Sequence, residues 1–97
     1  MFAKLASLFR KNPRIDYEVI HMKEYKAKRK RLYYYVVVPE GTDDDTLLQI
    51  FNELDVGSRD EVTVWFYKSE EEVRRCLPYS VAMLTRKGKG EPVTLTK

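Results

Sequence analysis

The sequence predicts an α+β fold: a four- to five-stranded mixed, mainly antiparallel sheet with one main helix on one face. Two segments, Leu32–Val38 and Glu61–Tyr67, are apolar on both faces and rich in β-forming residues, as central strands are. Between them, residues 42–56 carry the apolar stripe of a helix. The chain has 97 residues, 43% of them hydrophobic, and one cysteine. These values indicate one globular domain and exclude an intramolecular disulfide framework.

The chain begins with a short amphipathic segment, predicted to be a helix over residues 1–12 that precedes a single α+β domain over residues 14–97. Lys4 interrupts the apolar residues, which argues against a signal peptide, and Pro13 ends the helix. With one cysteine and no export signal, we expect a cytoplasmic protein. The apolar positions on one helical face include Phe2, Leu5, Leu8 and Phe9.

The next two elements are predicted to form an antiparallel hairpin. Residues 14–25 alternate between apolar and polar positions, which is typical of a half-exposed strand with His21 on its inward face. A short basic link leads into residues 32–38, so the hairpin has a cationic tip.

The main helix has a strong predicted start and stop. Thr42 is a suitable N-cap, and Gly57 ends the helix. Residues 43–45 are three aspartates, and negative charge is favourable at a helix start. The connection around this helix spans about twenty residues, which allows the second and third strands to be parallel.

The rest of the chain predicts a short helix and two strands. Ser69 precedes three glutamates and caps a helix over about 70–76. Residues 79–85 then predict a fourth strand, and residues 92–96 a weak edge strand.

The second face of the predicted sheet carries aromatic side chains. One helix covers one face only, so burying the aliphatic residues leaves an aromatic patch on the other. Three candidates for covering this patch remain: the N-terminal helix, a second copy of the chain, or the bases of a nucleic acid. The patch consists of Tyr33, Tyr35, Trp65 and Tyr67.

About half of the chain resembles a small group of uncharacterised bacterial and mobile-element α/β domains. The similarity lies in Tyr35-Val-Val-Val-Pro39, an acidic helix start, Asp60-Glu-Val-Thr-Val-Trp-Phe-Tyr67 and Tyr79-Ser-Val-Ala-Met83. These motifs are structural patterns, so the resemblance implies the α/β arrangement and a mobile-element setting, and it implies no site residues.

Candidate catalytic residues are few. His21 and Cys76 occur once each, and structural roles are the commoner explanation for single copies. Residues 43–45 are explained by helix-start electrostatics without a metal. Gly88-Lys-Gly90 lacks the other residues of a phosphate-binding P-loop and predicts a turn. We therefore expect no enzymatic activity, no cofactor and no metal.

The charge of the chain is strongly divided. Residues 1–39 carry a net charge of +7, residues 40–61 carry −7 and residues 62–97 carry +3. The basic part is densest at the hairpin, where cations suit phosphates and Tyr33, Tyr35 and Trp65 suit stacking on bases. The alternative is a solvated tip whose charges prevent edge-to-edge aggregation. The six hairpin cations are Lys23, Lys26, Lys28, Arg29, Lys30 and Arg31.

Two functional hypotheses follow, and a small enzyme built on His21 and Cys76 ranks third. The first is a non-enzymatic adaptor, a mobile-element accessory protein that binds a protein partner or itself as a homodimer. The alternative is a nucleic-acid-binding protein that uses residues 23–31 and the flanking aromatics. A membrane surface is disfavoured as a partner, because nine helical residues bury too little. The predicted protein interface consists of Phe2, Leu5, Leu8, Phe9 and Tyr67.

Overall fold

The computed structural model describes residues 16–26, 28–55, 57 and 59–97. The predicted helix over residues 1–12 lies outside these residues, and so do Phe2, Leu5, Leu8 and Phe9. The described elements are β1 (Glu18–Tyr25), β2 (Arg31–Val37), α1 (Asp44–Leu54), β3 (Glu61–Tyr67), α2 (Glu70–Arg74), β4 (Ala82–Arg86) and β5 (Val93–Thr96).

The five strands form one mixed sheet in the order β1-β2-β3-β4-β5. β2 and β3 are parallel and are connected through α1, whereas the other three neighbouring pairs are antiparallel. This arrangement confirms the α+β class, the hairpin of the first two strands and the parallel central pair.

The hydrophobic core lies between α1 and one face of the sheet, which we call the covered face. Alternate residues of the central strands point to it, and they pack against the apolar stripe of α1. Phe51 of α1 and Phe66 of β3 are fully buried there. The tightly packed members from α1 and the central strands are Leu32, Val36, Leu47, Ile50, Phe51, Leu54, Val62, Val64, Phe66, Ala82 and Leu84.

The first strand begins at Glu18, later than predicted, and its alternation of side chains also differs from the prediction. A β-bulge between Val19 and His21 shifts the register, so that Val19 pairs with Val36 while His21 pairs with Tyr35. An extra residue reverses the alternation of side chains. His21 therefore lies on the opposite face from Val19, and its predicted inward position is wrong.

The start of α1 also differs by one residue. The N-cap is Asp43, whose carboxylate accepts a hydrogen bond from the Thr46 amide at 2.9 Å. Thr42, the predicted cap, instead donates its hydroxyl to the Pro39 carbonyl at 2.6 Å. The cap of α2 is Ser69, as predicted. No helix among the described residues is long and apolar enough to cross a membrane.

Candidate functional site

A row of aromatic rings crosses the open face of the sheet, the face opposite α1. Tyr33 lies 5.3 Å from Trp65 between ring centroids, and Trp65 lies 5.0 Å from Tyr35. The rings meet because β2 and β3 are parallel and in register, so that Tyr35 pairs directly with Trp65. All three side chains are half-buried. The structure therefore brings these predicted stacking residues together.

Each end of the row is extended by another tyrosine. Tyr25 of β1 packs edge-on against Tyr33 at 5.4 Å, and the guanidinium of Arg31 lies 5.5 Å from the Tyr25 ring centroid. At the other end, Tyr67 stacks on Tyr35, with 6.5 Å between the ring centroids. We call the set Tyr25, Tyr33, Trp65, Tyr35 and Tyr67 the aromatic row.

The two ends of the aromatic row differ in exposure. Tyr67 is buried, because the segment after α2 lies against it and its hydroxyl donates a hydrogen bond to the Leu77 carbonyl at 2.9 Å. This burial raises the pKa of Tyr67. Tyr25 is exposed. Of the predicted protein interface, Tyr67 is thus the one described member, and it is covered from within its own chain.

The loops beside Tyr25 form the basic end of the molecule. The β1–β2 tip is held against the β3 entrance, because the Lys30 amide donates to the Asp60 carboxylate at 2.7 Å and the Asp60 amide donates to the Lys30 carbonyl at 2.8 Å. Arg29 donates to the Lys87 carbonyl and lies 3.9 Å from Glu61. The tip and the β4–β5 turn are therefore side by side.

Five lysines at this end make no ion pair with any described residue. Lys28 and Lys89 line one shallow pocket together with Arg29 and Asp60. The Lys30 amide and the nearby charges of Lys89 and Arg29 hold the pKa of the Asp60 carboxyl below its usual value. The cations at this end therefore add to an amide hydrogen bond in stabilising the Asp60 carboxylate. The five are Lys26, Lys28, Lys30, Lys87 and Lys89.

Other cations at this end have a structural role instead. Arg86, on the covered face, donates from Nε and Nη2 to the two carboxylate oxygens of Asp55 at 2.7 and 2.8 Å. This bidentate contact holds the pKa of Asp55 below its usual value and raises the pKa of Arg86. Arg59 pairs with Glu24 in the same region. Positive charge alone thus does not identify a binding residue here.

The remaining predicted residues are distributed as follows. Lys23 lies on the open face opposite Tyr33. His21 packs against Tyr35 at 5.6 Å, and Cys76, in a left-handed conformation with φ of 58°, lines the same groove. Both side chains line one groove, and no hydrogen bond joins His21 to Cys76. Within the described part of the chain, no cluster of His, Cys, Asp and Glu could hold a metal ion.

The sequence did not indicate that the α2 segment contributes to the open face. Arg74, Leu77 and Tyr79 line the groove beside Trp65, although they lie in a connection between strands. Two features of the sequence point to this contact. The connection has apolar side chains among polar ones, and the aromatic patch required a cover.

Comparisons with known protein families, with curated proteins and with solved structures found no match. The resemblance to bacterial and mobile-element domains therefore stays a prediction. The geometry of the open face and of the basic end is the basis for a functional proposal.

Proposed function

We propose that this protein is a non-enzymatic binding protein whose ligand is single-stranded nucleic acid. The observation that carries the proposal is the position of the aromatic row, which starts at the basic end and runs across the open face. Aromatic rings stack on unpaired bases, and lysines beside them neutralise phosphates. Arg31, whose guanidinium lies over the Tyr25 ring, connects the row to the basic end.

A single strand fits this surface better than a duplex does. The row is a broad sheet face in which Tyr33, Tyr35 and Trp65 present half-buried rings side by side. In a duplex the bases are already stacked and paired, so rings on a flat face cannot reach their planes. The hairpin tip is also held by Asp60 against β3, which reduces its freedom to enter a major groove as an independent ribbon.

The protein-contact hypothesis remains the competing proposal. Its interface residue within the described part of the chain, Tyr67, is buried against its own chain. By contrast, the candidate stacking residues Tyr33, Tyr35 and Trp65 are in contact with one another, and Tyr25 extends them to the basic end. This difference is why we favour nucleic acid.

The test is the affinity of the full chain for fluorescein-labelled ten-residue oligo(dT) and oligo(U), measured by anisotropy from 50 to 300 mM salt. We expect binding that weakens with salt, with a logarithmic slope of about −0.7 per phosphate contacted. Lys28→Gln/Lys89→Gln removes two charges that make no ion pair with a described residue, so the slope becomes less negative by about 1.4. The matched control, Lys68→Gln/Arg75→Gln, removes two exposed charges elsewhere and leaves the slope unchanged.

A second pair of variants tests the aromatic row. Trp65→Leu keeps an apolar side chain but removes the π-face, and we expect about tenfold weaker binding. Met83→Leu, on the same face and paired with Trp65 across the sheet, is its control. Absence of binding at 50 mM salt would refute the proposal. The protein-contact hypothesis would be favoured instead if light scattering shows a dimer, Trp65 is buried in that dimer, and no oligonucleotide binds.

A further inference from the structure

A groove of about 860 Å³ lies on the open face, at the end of the aromatic row remote from the lysine-rich loops. The α2 segment folds over β3 and forms one wall, with Val73, Leu77 and Tyr79. Strands β1, β2 and β3 form the other wall, with His21, Tyr35 and Trp65. A volume of this order is typical of small-ligand sites, which are mostly apolar and have a few polar groups.

The charges that line the groove are of one sign. None of its lining residues is an aspartate or glutamate, and Lys23 and Arg74 contribute positive charge. Lys23 makes no ion pair with a described residue, and Arg74, paired with Glu70 at 2.6 Å, is 73% exposed. His21 adds an imidazole that can donate a hydrogen bond. The groove therefore suits a ligand with a flat aromatic part and an anionic part.

The N-terminal segment is the obvious rival occupant, because its predicted apolar stripe would suit an apolar wall. Residues 1–15, however, contain Lys4, Arg10, Lys11 and Arg14 and no acidic residue. Docking this segment would bring like charges together beside Lys23, at a cost in free energy. A second copy of the groove has the same problem. Charge complementarity selects an anion instead.

We infer that the groove binds one nucleotide unit, with its base against Trp65 and Tyr35 and its phosphate toward Lys23 and Arg74. The inference rests on the proposed function for the class of ligand. It adds a second anchoring point to that function, because the strand then runs from the lysine-rich loops along the aromatic row into the groove. The residues beyond the hairpin thereby become part of the binding surface.

The test compares neighbouring residues that differ in their access to the groove. Arg74 lines it and Arg75 does not, although both pair with a glutamate one turn earlier in α2. We expect Arg74→Gln to weaken binding of ten-residue oligo(dT) about threefold and to make the salt slope less negative by about 0.7. Arg75→Gln should change neither the affinity nor the slope. Leu77 and Leu95 are 39% and 38% exposed, so both tolerate substitution. We expect Leu77→Glu to weaken binding about tenfold and Leu95→Glu to leave it unchanged.

The free nucleotide dTMP separates this inference from the proposed function. Trp65 is the single tryptophan and forms part of the groove wall, so dTMP should quench its fluorescence in the wild type and not in Leu77→Glu. Quenching without oligonucleotide binding supports the groove and refutes the proposed function. Oligonucleotide binding that depends on Lys28 and Lys89 but not on Arg74 or Leu77 overturns the groove and leaves the proposed function standing.

The rival occupant has its own test. Leu5→Glu/Leu8→Glu changes the predicted apolar stripe, and Ala3→Glu/Ser7→Glu adds the same charge to the opposite helical face. Under our inference the Trp65 emission wavelength is the same in both variants and in the wild type. A red shift confined to Leu5→Glu/Leu8→Glu would show that the N-terminal segment occupies the groove, and the inference would then be wrong.

Discussion

The two faces of the sheet differ in burial, although neighbouring residues of the same strand contribute to both. Phe66 and Trp65 are adjacent in β3, yet Phe66 is fully buried under α1 while Trp65 is half-buried on the open face. The covered face is mostly aliphatic and closed, so its side chains contribute burial free energy. The open face is aromatic and partly accessible, so its side chains keep contact area available for a ligand. Burial free energy therefore comes from the covered face, and under the proposed function binding comes from the open face, so the division is by face rather than by segment.

The largest expected effect comes from the covered face. Phe66→Ala removes a fully buried aromatic ring and leaves a cavity, so we expect the free energy of unfolding to fall by about 4 kcal/mol. Trp65→Leu, one residue away, should cost about 1 kcal/mol, because its ring is half-exposed. Urea titration followed by circular dichroism measures both values. Equal losses from the two variants would contradict the division by face.

A salt bridge at the edge of the covered face gives the next largest effect. Asp55 and Arg86 are 13% and 7% exposed, so Asp55→Ala leaves a nearly buried guanidinium without its carboxylate. We expect a loss of about 3 kcal/mol in the free energy of unfolding. The double variant Asp55→Ala/Arg86→Met should recover most of it, since the unpaired charge is gone. If both variants are equally unstable in urea, the desolvated charge is not the cause.

The same pair predicts a pH dependence. The Arg86 hydrogen bonds hold the pKa of Asp55 below its value in the unfolded chain, which is about 3.9. The contribution of a carboxylate with a lowered pKa is complete above the unfolded value and is lost as the pH falls through the folded value. We expect wild-type stability to fall below about pH 4. The fall should be shallower in Asp55→Ala, as measured by urea titration from pH 7 to pH 2.5.

The smallest expected effect on stability concerns two threonines on the open face. Beside the aromatic row, where Thr63 pairs with Tyr33, Thr63 and Thr85 are buried and share a hydrogen bond of 2.7 Å between their hydroxyls. Thr63→Val keeps the shape and removes one partner, so we expect a loss of about 1 kcal/mol. Oligonucleotide affinity should stay unchanged. A larger change in affinity than in stability would extend the binding surface toward β4.

Much of this architecture could be predicted because it depends on local patterns. The two-faced apolar runs identified β2 and β3, and the stripe over residues 42–56 identified α1. The aromatic patch followed from the alternation of side chains, and the structure places Tyr33, Tyr35 and Trp65 in contact.

What could not be predicted depends on single residues or on distant pairs. The bulge before His21 has no sequence signature of its own, yet it changes the face on which that side chain lies. Asp43 and Thr42 are both good N-caps, and only the geometry of the Pro39 turn decides between them. Asp55 and Arg86 are 31 residues apart, so their pairing is invisible to any local pattern. The cover over Tyr67 is likewise a long-range contact.

The parallel pairing of β2 and β3 has a consequence for the order of folding. Turns join β1 to β2 and β4 to β5, and the connection that contains the short helix α2 joins β3 to β4. The parallel pair instead closes the longest connection, which contains all of α1. Closing it therefore carries the largest entropic cost of the sheet. Tyr33 and Tyr35 lie on one side of this junction and Trp65 on the other. The chain thus completes its aromatic row at the same step that commits it to the native topology. A hairpin of β1 and β2 alone carries Tyr33 and Tyr35 without Trp65.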